Sequence, residues 1–299
     1  MENQLSTFST IFLGIFIEAA PFLLMGTLAS GLVEEFLSKE QFQKNLPKNP
    51  ILGALTAGMM GFMFPVCECG VVPLTRRLFK KGVPPNVGIT FLLATPVNNP
   101  IIIASTYSAF GWGPVLWIRI GLSLFIAIFV GAIFSLQKTP WKILNPTSLC
   151  LPQDDKPQTH KPFKNRIWSA LQTSADEFFE MGRYLIIGSI LAALMQTIVP
   201  QSQLLALGVG PFSSILILIL LAVVLSICST VDAFVALSFV GTFTTGSILS
   251  FLVFGPMVDI KSTLMFLQVF RRKTVIYLIT LPLLLTILAA VIMNYYTGL

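Results

Sequence analysis

The sequence predicts an all-α polytopic membrane protein, with about eight transmembrane helices in two four-helix repeats and broken helices inside each. Three observations carry this reading. The chain of 299 residues is 55% hydrophobic and 11% charged, with a mean hydropathy of +0.82; an average soluble domain is about 25% charged. Apolar runs close to the roughly 20 residues that a membrane helix needs recur along the whole chain. Landmark residues of the first half return in the same order in the second half, 160–162 residues later.

The first span is expected at 8–33. Residues 1–33 hold no Lys or Arg and the apolar run is long, so a cleavable signal peptide is not expected. A second span, 51–66, runs into the stretch FPVCECGVVP at 64–73. Arg76, Arg77, Lys80 and Lys81 follow it. Further spans are expected at 86–107 and 113–136, then a Pro-rich polar linker at 137–168, then spans at 178–199, 211–228, 246–268 and 274–294. The domains are therefore a first transmembrane repeat (1–136), a cytoplasmic linker (137–168) and a second transmembrane repeat (169–299).

Lys and Arg concentrate on the cytoplasmic side of membrane proteins. The cluster at 76–81 and the basic linker both belong there, which places the N-terminus inside the cell membrane as well. The uncharged loops 108–112 and 200–210 would lie outside. With eight simple crossings Arg271, Arg272 and Lys273 also fall outside, against the rule, unless a segment near 229–245 is re-entrant. The basic excess of 19 over 13 sits mostly in loops and sets topology, so no nucleic-acid partner is expected. The single histidine, His160, and Cys150 lie in the linker and are read as solvated and idle.

The repeat rests on rare residue types. Glu18, Leu23, Gly26 and Leu32 match Glu180, Leu185, Gly188 and Leu194 at an offset of 162. Cys67 matches Cys228 at 161, and Pro96 and Asn99 match Pro256 and Asp259 at 160. Leu and Gly matches alone would not exceed chance. Glu, Cys and a Pro-x-x-Asn/Asp pair within apolar sequence do. Four helices per half would give the two repeats the same orientation in the membrane.

Irregular backbone at membrane depth is tolerated only where it is buried in protein or lines a wet cavity. Pro65 and Pro73 each remove a backbone donor and Gly70 permits close approach, so a break is expected over 65–73 with Pro73 opening the second half-helix. Glu68 is the sharpest residue, because carboxylates in lipid mark pathways or proton relays by default. The bland alternative is an ion pair with Arg76 or Arg77. Cys67 and Cys69 flank it and supply thiols suited to a soft metal or metalloid, although cysteine also packs as a small apolar residue. ATPVNNP at 94–100 is a second break, with Pro96 and Pro100 breaking the helix and Asn98 and Asn99 offering amides. Its counterpart carries Asp259. Asp232 follows Cys228 by four residues, a spacing that places both on one helix face. Cys228 alone reads more readily as packing. Glu18 and Glu68 are candidates for proton coupling, and Arg119 and Arg183 for internal counter-ions.

No phosphate-binding loop, His-rich cluster or nucleophile–base constellation stands out, which argues against an ATPase or an enzyme, and no cofactor is implied. PVCECGVVPLTRRLFKKG followed by FLLATPVNNP resembles the predicted permease family that includes the organoarsenical efflux permeases. The resemblance implies a permease of about eight helices, with a motif at Cys67, Cys69, Gly70 and Pro73 and a second at Ala94, Thr95 and Pro96. Glu68 stands where many relatives carry a small residue. That charge makes a neutral organoarsenical a less natural substrate and a divalent cation, or proton coupling, a more natural one.

Three functions follow. The first is a secondary transporter or exporter of a small thiophilic or cationic solute, with the breaks and their repeat partners forming the site. The second is a non-transporting membrane subunit that hands metal or redox equivalents to a membrane or soluble partner. An intramembrane enzyme using Cys67 ranks last, because a neighbouring carboxylate raises a thiol's pKa.

Overall fold

The computed structural model describes residues 2–36, 49–62, 64, 66–136, 143–145, 163–198 and 210–296. These form twelve helices: α1 (Glu2–Phe36), α2 (Pro50–Gly61), α3 (Glu68–Lys80), α4 (Pro85–Asn98), α5 (Pro100–Phe110), α6 (Pro114–Ser135), α7 (Phe163–Ile198), α8 (Pro211–Leu225), α9 (Asp232–Leu237), α10 (Thr245–Met257), α11 (Ile260–Val269) and α12 (Arg272–Tyr296). Among the described residues only two isolated bridges interrupt the all-helical pattern. Proline opens α2, α4, α5, α6 and α8, where its missing donor is harmless.

Among the described residues, six segments are long and apolar enough to cross a membrane: α1, α4–α5, α6, α7, α10–α11 and α12. The count of eight simple crossings is not met, because two of the expected spans fold as pairs of short helices. α2 has 12 residues, about 18 Å at ~1.5 Å per residue, in a core about 30 Å thick. Packing contacts give its direction. Gly58 meets Thr90, and Gly61 meets Thr95, so α2 runs parallel to α4. The chain turns back between α3 and α4 through residues 81–84, where Gly82 takes a positive φ of 86°. α2 and α3 are therefore the two arms of a re-entrant hairpin whose tip, described at Phe62, Phe64, Val66 and Cys67, lies in the middle of the bundle. α8 and α9 make the second hairpin. α8 runs parallel to α10 through Ser214–Ser247 and Ala222–Gly255. Phe239, just beyond α9, returns to stack edge-on with Phe251 of α10.

The series long helix, hairpin, broken span, span occurs twice, as α1–α6 and as α7–α12. The two series run in opposite directions. α1 and α7 are antiparallel, with Ser30 on Glu177 and Arg166 on the Glu35 carbonyl. The broken spans α4–α5 and α10–α11 start from opposite ends, since Phe79 stacks on Phe270 while Phe110 and Val115 pack with the cluster around α9. The expected common orientation is thus replaced by an inverted one, because each half holds three spans and a hairpin rather than four spans.

One end of the bundle collects Lys81 on the Glu34 carbonyl, Arg271 on the Leu144 carbonyl, and Arg76, Arg77 and Arg166. The other end carries a stack of Tyr107, Trp112 and Trp117, with Tyr295 and Tyr296 exposed nearby at the end of α12. The linker expected at 137–168 lies mostly outside the described residues, including His160 and Cys150; α7 begins at Phe163, so 163–168 are helical instead. Loop 200–210 also falls outside them except at Gly210.

Candidate functional site

Each half carries two breaks, and the breaks lock together in matching ways. Asn99 caps α5 by accepting from Ile102 N at 2.9 Å. Asp259 caps α11 by accepting from Ser262 N at 2.6 Å, and Ser262 answers with a bond from the Asp259 amide at 2.9 Å. The amide of Asn99 donates to the Val66 carbonyl in the tip of the first hairpin at 3.2 Å. Its counterpart is Ile260 N donating to Ser226 Oγ, in the tip of the second, at 3.3 Å. Ser226 sits at φ 45°, the one non-glycine residue with positive φ among those described, and such strain is held where surrounding structure dictates it.

The two hairpin tips bring the thiols together. Cys67, the residue before α3, lies against both Cys69 and Cys228, and all three are free and buried. Donor atoms of Cys67, Glu68 and Cys69 lie within 4.8 Å of one another. Ser229 Oγ donates to Glu68 Oε2 at 3.3 Å. Lys261, in the first turn of α11, places Nζ 3.8 Å from Glu68 Oε1 and 3.6 Å from Asp259 Oδ2, with the side chains of all three 2–3% exposed. Glu18 of α1, partly buried, feels the charge of Lys261. The N-termini of α3, α5 and α11, with their partial positive charge, start at this centre. Glu68, Asn99 and Asp259 answer them.

The structure therefore gathers Cys67, Glu68, Cys69, Cys228 and Asp259 into one buried cluster, with Asn99 bracing it. It corrects several local expectations. The first break falls between Gly61, the last residue of α2, and Glu68, the first of α3, so Pro73 lies inside α3 rather than at its start. Pro65 is outside the described residues. Pro96 likewise lies within α4, and the second break falls at Asn99. Gly70 is where α1 comes closest: a Cβ on Gly26 would meet Gly70 Cα at 2.3 Å. Cys228 lies in a break, so it shares no helix face with Asp232. Asp232 belongs to a separate pair, with Arg119 Nη2 donating to Oδ2 at 2.5 Å and Arg119 Nη1 donating to Thr106 at 2.7 Å. Asn98 points to α6, accepting from Ser123 at 2.9 Å. Arg76 and Arg77 pair with Glu180 and Glu177 rather than Glu68, and Arg183 is exposed. Sequence reasoning missed Lys261. Its signal is a lone lysine inside an otherwise apolar run, two residues after Asp259.

A family profile described as "Predicted permease" matches residues 4–295. The chain belongs to this family. The UPF0718 protein YcgR of Bacillus subtilis is 44% identical over 285 residues, covering 93% of this chain and 94% of the relative. A Streptococcus mutans protein, provisionally named two-component membrane permease complex subunit, is 40% identical over 286 residues, 95% of this chain and 94% of its own. The UPF0718 protein MJ0584 of Methanocaldococcus jannaschii shares 28% identity over 110 residues, 37% of this chain and 29% of its own. No solved structure matches. The protein is thus a multi-pass membrane permease by family.

Proposed function

We propose that the chain is a secondary permease that carries a small thiophilic solute out of the cell, across the cell membrane, through the cluster at Cys67, Cys69 and Cys228. The observation that supports it most is the meeting of two oppositely directed hairpin tips at a buried group of thiols and charges. Transporters built from inverted repeats place their sites at the midplane between the repeats, on discontinuous helices. The repeats are assigned to 1–136 and 169–299, joined by the linker 137–168. The basic end is cytoplasmic by the positive-inside rule. The N-terminus, at the opposite end of α1, is then outside, the reverse of the orientation expected from eight crossings.

Access alternates as the two repeats rock about the cluster. Arg76–Glu180 and Arg77–Glu177 join α3 to α7 at the basic end. Arg119–Asp232 joins α6 to α9 toward the aromatic end. Each pair closes one route, and each must part for solute to pass. Glu18 and Glu68 are the groups placed to move protons with the solute.

The test is uptake into inside-out vesicles containing the purified chain alone, with trivalent arsenite, methylarsenite, zinc, copper(I) and cobalt as solutes. Uptake that is lost in Cys67→Ser and Glu68→Gln, both still folded, is the expected result. Normal uptake in both variants refutes the site. A second reading is a subunit that needs a partner, and the name borne by the Streptococcus mutans relative favours it. No uptake by the folded chain, with uptake restored by a co-purifying partner, selects that reading.

A further inference from the structure

We propose that Lys261 is the residue that makes this site choose thiophilic solutes over divalent cations: its ammonium occupies Glu68 and Asp259 and leaves the three thiols as the donors open to a solute. The inference rests on the cluster being the solute site and names the selectivity of that site.

Glu68 taken alone reads as an oxygen ligand or a cation attractor, which is how the sequence presents it. The structure removes that role. Lys261 Nζ bridges Glu68 of the first half and Asp259 of the second, at 3.8 and 3.6 Å, with side chains almost wholly buried. Glu68 is also held by Ser229, and Asp259 spends Oδ1 on its own helix cap, while Asp259 Oδ2 makes no hydrogen bond and meets the ammonium by charge alone. The lysine is held in place by its backbone. A Cβ on Gly188 of α7 would lie 2.9 Å from Lys261 Cα, so this glycine lets α7 and the first turn of α11 press together. The carboxylates within ion-pair distance of the ammonium come from two elements: Glu68 of α3 and Asp259 at the head of α11.

Donor type then decides selectivity. Carboxylate oxygens favour hard and borderline divalent ions, and sulfur favours soft ones. With the ammonium seated between the two carboxylates, a divalent cation has to displace that positive charge before either oxygen can ligate it. A trivalent arsenical meets no such obstacle. Phenylarsine oxide serves as probe. Two Sγ–H groups give their protons to the arsenic-bound oxygen, which leaves as water while two As–S bonds form, with no change in oxidation state.

The experiment uses the full-length chain in lipid nanodiscs, as wild type, Lys261→Gln, Lys261→Arg and the double variant Lys261→Gln with Glu68→Gln. Cobalt(II) is titrated and read by its visible and sulfur-to-cobalt bands, and probe binding is read by mass. The expected result is probe binding without cobalt bands in wild type and Lys261→Arg. Lys261→Gln should gain cobalt affinity at least tenfold, and the double variant should lose that gain. Cobalt bands in wild type at probe-like affinity overturn the inference without need of any variant, as does a folded Lys261→Gln that gains none. Failure of wild type to take the probe, with the cobalt gain intact in Lys261→Gln, refutes the solute reading and leaves the role of Lys261 standing.

Discussion

The Arg119–Asp232 pair offers a quantitative test of how the two halves hold together. Both side chains are buried, 1% and 4% exposed, and Arg119 Nη2 meets Asp232 Oδ2 at 2.5 Å. The contact is single: Arg119 Nε and Asp232 Oδ1 have no partner among the described residues. Asp232→Asn removes the counter-charge and leaves the buried guanidinium with neutral acceptors only, Thr106 and the new amide oxygen. Breaking one side of a buried pair costs about 3–5 kcal/mol. The retained Thr106 bond puts the expected loss near the lower figure, about 3 kcal/mol. Replacing both partners by apolar residues, Arg119→Met with Asp232→Leu, removes the stranded charge and should fall within about 1 kcal/mol of wild type. Equilibrium unfolding in mixed micelles, followed by far-ultraviolet circular dichroism, measures Asp232→Asn and, for the cycle, wild type, the single changes Arg119→Met and Asp232→Leu, and the double variant. A loss under about 1 kcal/mol in Asp232→Asn refutes the reasoning, because a stranded buried guanidinium cannot be that cheap. So does a double variant as costly as the two single changes added.

Three further outcomes follow from other contacts. Gly26→Val should destabilise by about 2–3 kcal/mol or more and abolish transport, since its Cβ would meet Gly70 Cα at 2.3 Å and Gly70 O at 2.5 Å, both backbone atoms; thermal unfolding in detergent checks it. Asn99→Ala should cost about 1 kcal/mol for the lost helix cap and about 1 kcal/mol more for the lost bond to Val66. Faster amide exchange at Ile102, with α1 unaffected, is its signature. Finally, a membrane-impermeant thiol reagent applied to intact cells should label Gln4→Cys and leave Lys164→Cys unlabelled, and the opposite pattern would reverse the assigned orientation.

The cluster was largely legible in the sequence because its members are rare in apolar surroundings. Cys67, Glu68 and Cys69 stand out against lipid-compatible sequence, and so do Asn99 and Asp259. The first hairpin was not legible, and the second showed only indirectly, as the re-entrant segment near 229–245 that the basic residues 271–273 asked for. A helix of 12 residues followed by an irregular tip supplies nearly as much apolar sequence as a full crossing, and hydropathy does not record direction. Pro73 and Pro96 misled the placement of the breaks for a related reason. A proline removes one bond and crowds one carbonyl, which a helix buried among neighbours tolerates. The break goes where the chain has a cap to receive it, at Asn99 and Asp259. Lys261 escaped notice because its importance comes from two partners, one of them 193 residues away on α3.

The three basic residues at 271–273 decide between the two topologies. With eight simple crossings they sit on the wrong side, and the re-entrant segment near 229–245 that would repair this is where α9 (Asp232–Leu237) lies. With two re-entrant hairpins the chain crosses three times in each half, so residue 271 returns to the end occupied by residues 76–81. The contacts agree, since Arg271 bonds the Leu144 carbonyl and Phe270 stacks on Phe79. An odd number of crossings per half also forces the second half upside down relative to the first. Inversion is what brings a hairpin tip from each end to the same depth. Two parallel repeats would place both hairpins on one side, and Cys67 and Cys228 would approach from the same end. Here they approach from opposite ends and meet, with one ion-paired seam toward each end of the bundle: Arg76–Glu180 and Arg77–Glu177 at the basic end, Arg119–Asp232 toward the aromatic end.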